Sequence, residues 1–145
     1  MIQPSDSPII AVVSRALAPF IQVFALYVVF HGHYGPGGGF QGGAMFAASL
    51  ILLRLSLGGS VAGNQFRSSW ATPIGAVGVF LFAGVGIVAL AFGGEYLNYA
   101  FLPFGLEQAS LRSFGILLIE ISVAVALVGT LVAIFDDLVE GHEHD

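Results

Sequence analysis

The chain has 145 residues, of which 57% are hydrophobic and 9% are charged, and its mean hydropathy is +0.92. Because soluble domains carry about 25% charged residues, this composition excludes an ordinary water-soluble domain. The chain contains four arginines and no lysine, which excludes a nucleic-acid-binding surface, and no cysteine, which excludes disulfides and thiolate metal sites. We therefore predict an integral membrane protein, with a net charge of −5 that comes largely from its last ten residues.

Four apolar stretches are each long enough to cross a bilayer, since a helix needs about 20 mostly apolar residues to do so. No basic residue precedes the first stretch and no cleavage site follows it, so we expect a membrane span rather than a signal peptide there. The sequence predicts an all-α bundle of four transmembrane helices in one domain, 1–135, and a short acidic, histidine-containing tail, 136–145. The four predicted spans are 8–30, 40–57, 72–92 and 111–135.

A glycine-rich motif, HGHYGPGGGFQGG, occupies residues 31–43 between the first two spans. Glycine is unfavourable inside helices, and proline removes a backbone donor, so the motif should end the first helix. A glycine pair at the start of the second span lets another helix approach closely, which predicts an interlocking corner between helices one and two. The bare backbone N–H groups would also suit an anion or a partner's carbonyl groups. The motif residues are Gly32, Pro36, Gly37, Gly38, Gly39, Phe40, Gly42 and Gly43.

Small residues recur on one face of the later spans, a pattern typical of close helix packing in membranes. In the second span, Gly43 and Ala47 share a face with Arg54. The third and fourth spans carry longer seams of the same kind. These seams comprise Gly75, Gly78, Gly86, Ala89 and Gly93 in the third span and Gly115, Ser122, Ala126, Gly129 and Ala133 in the fourth.

Glu120 lies in the fourth span, near the middle of the membrane, where an acid costs at least about 2.5 kcal/mol to insert. It occupies the face opposite the small-residue seam, so this helix should have two protein-facing sides, which indicates a subunit of a larger assembly. Either a buried ion pair or a place on an ion route would explain the acid. By residue counting, Arg15 and Arg54 are candidate partners, and His31 and His33 lie nearer the outer end.

Histidines and arginines give weaker signals. Two histidines alone make a weak metal site, and a four-span topology separates the motif pair from the tail pair, so we predict no metal site and no cofactor. Three arginines lie on the side shared by the termini and the second loop, against one on the other side. The positive-inside tendency therefore predicts cytoplasmic termini and an outer glycine motif. The histidine pairs are His31 with His33 and His142 with His144.

The segment FHGHYGPGGGFQGGAMFAASLILL, 30–53, resembles the signature of the MnhB family, the B subunits of Mrp-type multisubunit Na⁺/H⁺ antiporters. That signature has Gly-His, two residues, Pro-Gly-Gly-Gly-Phe, and a Gly-Gly pair that opens a small-residue helix. The chain length, the four spans, the stretch SRALAP at 14–19 and the acid in the last span also fit. The MnhB family is similar in turn to the C-terminal part of the large antiporter subunit and to subunits of membrane-bound hydrogenases.

The resemblance implies a multi-pass cell-membrane protein in an obligate complex with other hydrophobic subunits. Larger subunits, related to the antiporter-like subunits of respiratory complex I, would carry the proton path, and Na⁺ and H⁺ would be the transported ions. The chain would then be a non-catalytic subunit, needed for assembly or for lining or coupling the cation route. The alternative is a self-contained, proton-coupled transporter that acts as a homo-oligomer with Glu120 as its exchange carboxylate.

Overall fold

The computed structural model describes residues 7–32, 35 and 37–141, without the side chains of 59, 60, 140 and 141. Helices make up most of this part of the chain, and it contains no strand. Four helices are long and apolar enough to cross a membrane, so the predicted all-α membrane fold is confirmed. In chain order the helices are α1 (Pro8–His31), α2 (Gly39–Leu57), the short α3 (Gly59–Ala62), α4 (Ala71–Ala91) and α5 (Gln108–Gly141).

The two central helices, α2 and α5, lie side by side, with α1 packed on α2 and α4 packed on α5. Residue numbers rise in the same direction along the contact between α2 and α5: Gly43 lies against Ala124, and Arg54 lies beside Asp136. These two helices are therefore parallel, and each forms an antiparallel hairpin with its sequence neighbour. The chain is thus built from two hairpins, α1–α2 and α4–α5, which meet along the α2–α5 contact.

Small residues bring α4 and α5 into close contact, as the seams predict. A methyl group at Gly78 would overlap the backbone nitrogen of Ala126, and one at Gly129 would overlap the backbone nitrogen of Gly75. Since backbone atoms on both helices already occupy that space, no side chain can be added without separating the helices. The predicted packing role of these glycines is confirmed.

The face of α5 opposite the small-residue seam also packs within the chain. Glu120 and Ala124 face the glycines that begin α2, while the small-residue seam faces α4. Both sides of α5 are therefore covered by the chain's own helices. The two protein-facing sides predicted for this helix are therefore confirmed, but they do not by themselves require a larger assembly.

The last helix is longer than the predicted fourth span. It continues past Phe135 to Gly141, and its 34 residues extend about 51 Å at 1.5 Å per residue. The hydrocarbon core of a bilayer is about 30 Å thick, so α5 is long enough to extend well beyond it. Asp136, read from the sequence as the first residue of the tail, belongs to this helix.

The aromatic connection between α4 and α5 folds back onto both helices. The Tyr96 ring lies against Gly86, and the Tyr99 ring lies against Gly115. Residues Tyr99–Phe101 form a single 3₁₀ turn, and Leu102 after it is buried. Burial raises the pKa of the Tyr99 hydroxyl above its usual value. The glycines near this end of the hairpin thus accommodate aromatic rings rather than another helix.

Candidate functional site

The glycine motif forms a tight corner between α1 and α2. Its backbone is tied to α1 by the Gly38 N–H, which donates to the Val28 carbonyl oxygen at 3.2 Å. Gly38 precedes α2 with a φ of 125°, a conformation that strongly favours glycine. The Gly38 carbonyl then accepts the first hydrogen bond of α2, from the Gly42 N–H at 3.0 Å.

Two glycines in the first turns of α2 face different neighbours. A methyl group at Gly42 would meet Val29 and the Ala25 carbonyl oxygen of α1, whereas one at Gly43 would lie 2.8 Å from the Ala124 Cα atom of α5. The glycine pair therefore admits one helix on each side of α2. This arrangement confirms the predicted close approach of other helices at the corner.

Glu120 of α5 lies in this corner. Its backbone packs so tightly on Gly39 that a methyl group there would overlap the Glu120 carbonyl oxygen. Its carboxylate oxygen Oε1 lies beside Gly32 and Gly38, at 2.7 and 3.5 Å from where their Cβ atoms would be. The carboxylate is thus placed next to the N-terminus of α2, where the absence of side chains on Gly32 and Gly38 leaves room for it.

The corner is level with the middle of the α4–α5 hairpin rather than with its end. Gly78 packs on Ser122 and Ala126, so the level of Glu120 falls between Gly78 and Gly86, close to the midpoint of α4. At the opposite end, Leu50 of α2 packs with Ala71, the first residue of α4. The two hairpins are therefore offset along their axes, and the non-helical corner backbone lies against α5 at the level of the midpoint of α4.

Arg54 makes a buried ion pair near the other end of α2. Its Nε donates to the Asp136 oxygen Oδ1 at 2.8 Å, and its Nη2 donates to Oδ2 at 3.2 Å and to the Phe66 carbonyl oxygen at 3.0 Å. The Arg54 side chain is 3% exposed and that of Asp136 is 14% exposed. The third nitrogen, Nη1, is buried and has no hydrogen-bond partner among the residues that the structure describes.

This pairing corrects the partners considered for Glu120. Arg54 lies about 22 Å along α2 from Gly39, at 1.5 Å per residue, and it pairs with Asp136, so Arg54 is ruled out as one of the two candidate partners of Glu120. Asp136 was not predicted as a partner of Arg54, because the predicted fourth span ended at Phe135. The apolar residues that follow, Leu138 and Val139, were the available signal that the helix continues.

The remaining candidates lie apart from the corner or outside the described residues. The exposed side chain of Arg15 lies toward the start of α1, at the far end from the corner. His31 is also exposed, its ring stacks on Tyr27 at 4.1 Å, and its Nδ1 lies 3.2 Å from the Tyr27 carbonyl oxygen. Among the described residues, no three His, Cys, Asp or Glu side chains cluster as a metal site would require. The candidates outside the described residues are His33, Pro36, His142 and His144.

Comparison with known proteins identifies the family. A family model described as a domain related to the MnhB subunit of Na⁺/H⁺ antiporter matches residues 9–133. The chain belongs to the MnhB family. The match includes the glycine corner, Glu120 and Arg54, and it confirms the family that the motif indicated.

Two of the relatives described here are similar over most of their length, and a third is similar over about a third of its length. The Na⁺/H⁺ antiporter B subunit of Bacillus subtilis is 25% identical over 137 residues, covering 89% of this chain and 95% of the relative. The Na⁺/H⁺ antiporter B subunit of Alkalihalophilus pseudofirmus is 28% identical over 141 residues, covering 88% of this chain and 93% of the relative. A protein of Methanocaldococcus jannaschii is 32% identical over 91 residues, which is 63% of this chain and 34% of that protein.

Proposed function

We propose that this chain is a non-catalytic membrane subunit of a multisubunit Na⁺/H⁺ antiporter. The observation that carries this proposal is the MnhB-family match over residues 9–133, together with relatives of nearly equal length that are named as antiporter B subunits. The four apolar helices support a multi-pass protein of the cell membrane. Its partners would be the other hydrophobic subunits of the complex, and Na⁺ and H⁺ would be the ions that the complex exchanges.

Copurification and transport together test this proposal. The tagged chain should extract from the membrane with other hydrophobic subunits, and deletion of its gene should remove Na⁺-dependent proton movement in everted membrane vesicles. Restoring the gene should restore that activity. If the purified chain instead exchanged cations by itself in liposomes, the self-contained transporter would replace the proposed subunit.

Within this complex, we propose that Glu120 contributes an exchangeable carboxylate to the cation or proton route. Its level beside the midpoint of the apolar α4 supports a position deep in the membrane, where ionisable groups are costly and most often functional. Non-helical backbone at such a depth is tolerated where protein or water covers it. The glycine corner would meet that requirement and would leave space beside the carboxylate.

Charge neutralisation distinguishes this role from a purely structural one. Glu120→Gln keeps nearly the same shape, so we expect normal assembly, a large loss of antiport and a changed pH dependence, while Glu120→Asp keeps part of the activity. The matched control is Glu107→Gln, which neutralises an exposed acid just before α5 and should leave antiport unchanged. A Glu120→Gln complex with parental yield and parental exchange rates across pH would refute the transport role, as would loss of assembly in that variant.

A further inference from the structure

A shallow groove runs between α1 and α4, over the contact between α2 and α5. Its volume is about 190 Å³, and every side chain that lines it is apolar. Glycines from the start of α2 lie in its floor, so another backbone could approach closely there. The residues that define this groove include Leu26, Gly42, Gly43, Phe46, Ile74 and Val125.

A polar stripe on α1 extends the same face toward the start of that helix. Arg15, Gln22 and Leu26 lie on one face of α1, with one to two helical turns between neighbours, and Leu26 lines the groove. Pro19 lies between Arg15 and Gln22 and has no N–H, so the carbonyl oxygen of Arg15 lacks its usual donor four residues later. A cation, an amide and a backbone acceptor therefore align on one side of an apolar helix.

The surroundings of this stripe are apolar on both sides. Toward the helix start, Ile9, Val12 and Val13 are exposed, at 72%, 67% and 47%. These side chains indicate that α1 continues through apolar surroundings for more than a turn beyond Arg15. Hydrocarbon would leave the exposed Arg15 side chain, the half-buried Gln22 amide and the Arg15 carbonyl oxygen without hydrogen bonds, at a cost of several kcal/mol for each group.

The end of the groove near Arg15 is also polar and cationic. Ile74 lines both the groove and a second depression of about 330 Å³, which Asn64, Gln65 and Arg67 surround. Ala62, shortly before this segment, packs with Ala18 of α1, which places the segment at the Arg15 end of the molecule. A helix bound in the groove would therefore extend from the apolar part of the groove into a region that favours a negative charge.

We propose that the groove and stripe hold a transmembrane helix of a partner subunit, with a carboxylate of that helix opposite Arg15. This inference rests on the proposed function, because it requires the multisubunit complex. A lipid phosphate could meet Arg15, but it has no donor for the Arg15 carbonyl oxygen and cannot reach Gln22, about 10 Å deeper along the helix. A helix with polar side chains satisfies all three groups, and its apolar surface fills the groove.

Photocrosslinking in the assembled complex tests this placement. Benzoylphenylalanine at Gln22 should crosslink, in the purified tagged complex, to a membrane-spanning segment of a second subunit that contains Asp or Glu. The matched control is the same probe at Phe20, which is 74% exposed and points nearly the opposite way around α1, and which should not yield that product. Crosslinks from Gln22 only to lipid, or to a second copy of this chain, would overturn the proposal.

Charge reversal tests the carboxylate. Arg15→Glu should reduce the yield of complex about tenfold or more, because like charges would then be in contact. Arg15→Lys should largely keep the yield, and an acid-to-arginine change in the crosslinked segment should restore assembly of the Arg15→Glu complex. Arg112→Glu, an exposed charge reversal near the start of α5, is the control and should leave the yield unchanged. Full yield of the Arg15→Glu complex would refute the carboxylate contact, whereas a parental chain that copurifies with no other subunit would refute the proposed function itself.

Discussion

A single methyl group at the glycine corner should separate two helices that are in backbone contact. In Gly39→Ala, the new Cβ would overlap the carbonyl oxygen of Glu120 and would lie 2.7 and 2.8 Å from its C and Cα atoms. All three are backbone atoms in the middle of a long helix, so they cannot rotate away as a flexible side chain would. The start of α2 must therefore move from α5 by about 1 Å to reach ordinary carbon–carbon contact distances.

The net cost of this substitution can be worked from two opposing effects. Overpacking costs about 1–3 kcal/mol, and the better helix propensity of alanine returns at most about 1 kcal/mol, less at the first helical residue. We expect a net destabilisation of about 1–2 kcal/mol and a displaced Glu120, hence reduced antiport. The midpoint of heat-induced loss of the folded complex, followed by size-exclusion chromatography in mild detergent, should fall by several degrees.

Gly84→Ala provides the matched control for the corner substitution. Gly84 is a helical glycine of α4, and a methyl group there would meet no atom within 4 Å. The melting midpoint of the Gly84→Ala complex should stay unchanged or rise slightly, because alanine has the better helix propensity and its methyl group overlaps no other atom. If Gly39→Ala behaved like Gly84→Ala in both melting and antiport, the tight α2–α5 contact at the corner would not exist as described.

Two further predictions concern the buried ion pair and the sidedness of the chain. Asp136→Asn should destabilise the fold by about 3–5 kcal/mol, because it leaves the buried Arg54 charge uncompensated. Arg54→Met should destabilise the fold less, and the double variant should cost less than the sum of the two single variants. Thermal melting of each purified complex measures these differences. If the arginine bias sets orientation, Ser110→Cys should react with an impermeant thiol reagent in whole cells and Gln65→Cys should not; the reverse labelling would place the termini outside.

The sequence predicted the helices well because the length of an apolar stretch and the glycines that end it are local features of the sequence. Predicted spans of 8–30, 40–57 and 72–92 became helices Pro8–His31, Gly39–Leu57 and Ala71–Ala91. The fourth was predicted to end at Phe135, because charged residues were read as the limit of the membrane. A helix can continue past that limit, however, and here the continuation supplies Asp136 to Arg54.

The arrangement of the charged groups could not be predicted in the same way. Residue counting gives depth only if all helices begin at the same level, and on that assumption Arg54 was one of the candidate partners of Glu120. The offset between the two hairpins depends on which glycines meet which backbone atoms, as Gly39 meets Glu120 and Gly78 meets Ala126. The sequence shows which small residues could form such contacts, but it does not show which residues of the two helices lie opposite each other.

The two buried charges on the α2–α5 contact differ in what they can bind or release. Arg54 is 3% exposed, and two of its nitrogens already hold Asp136 and the Phe66 carbonyl oxygen, so any exchange of its partner would expose an unpaired buried charge. Glu120 lies against glycine backbone at the N-terminus of α2, which has no capping side chain of its own, and its oxygen Oε2 is buried. A helix N-terminus stabilises a nearby negative charge by about 0.3–2 kcal/mol. Arg54 is a permanent cation that can neither release a proton nor bind Na⁺, so the exchange proposed above is assigned to Glu120, whereas the Arg54–Asp136 pair joins the two hairpins.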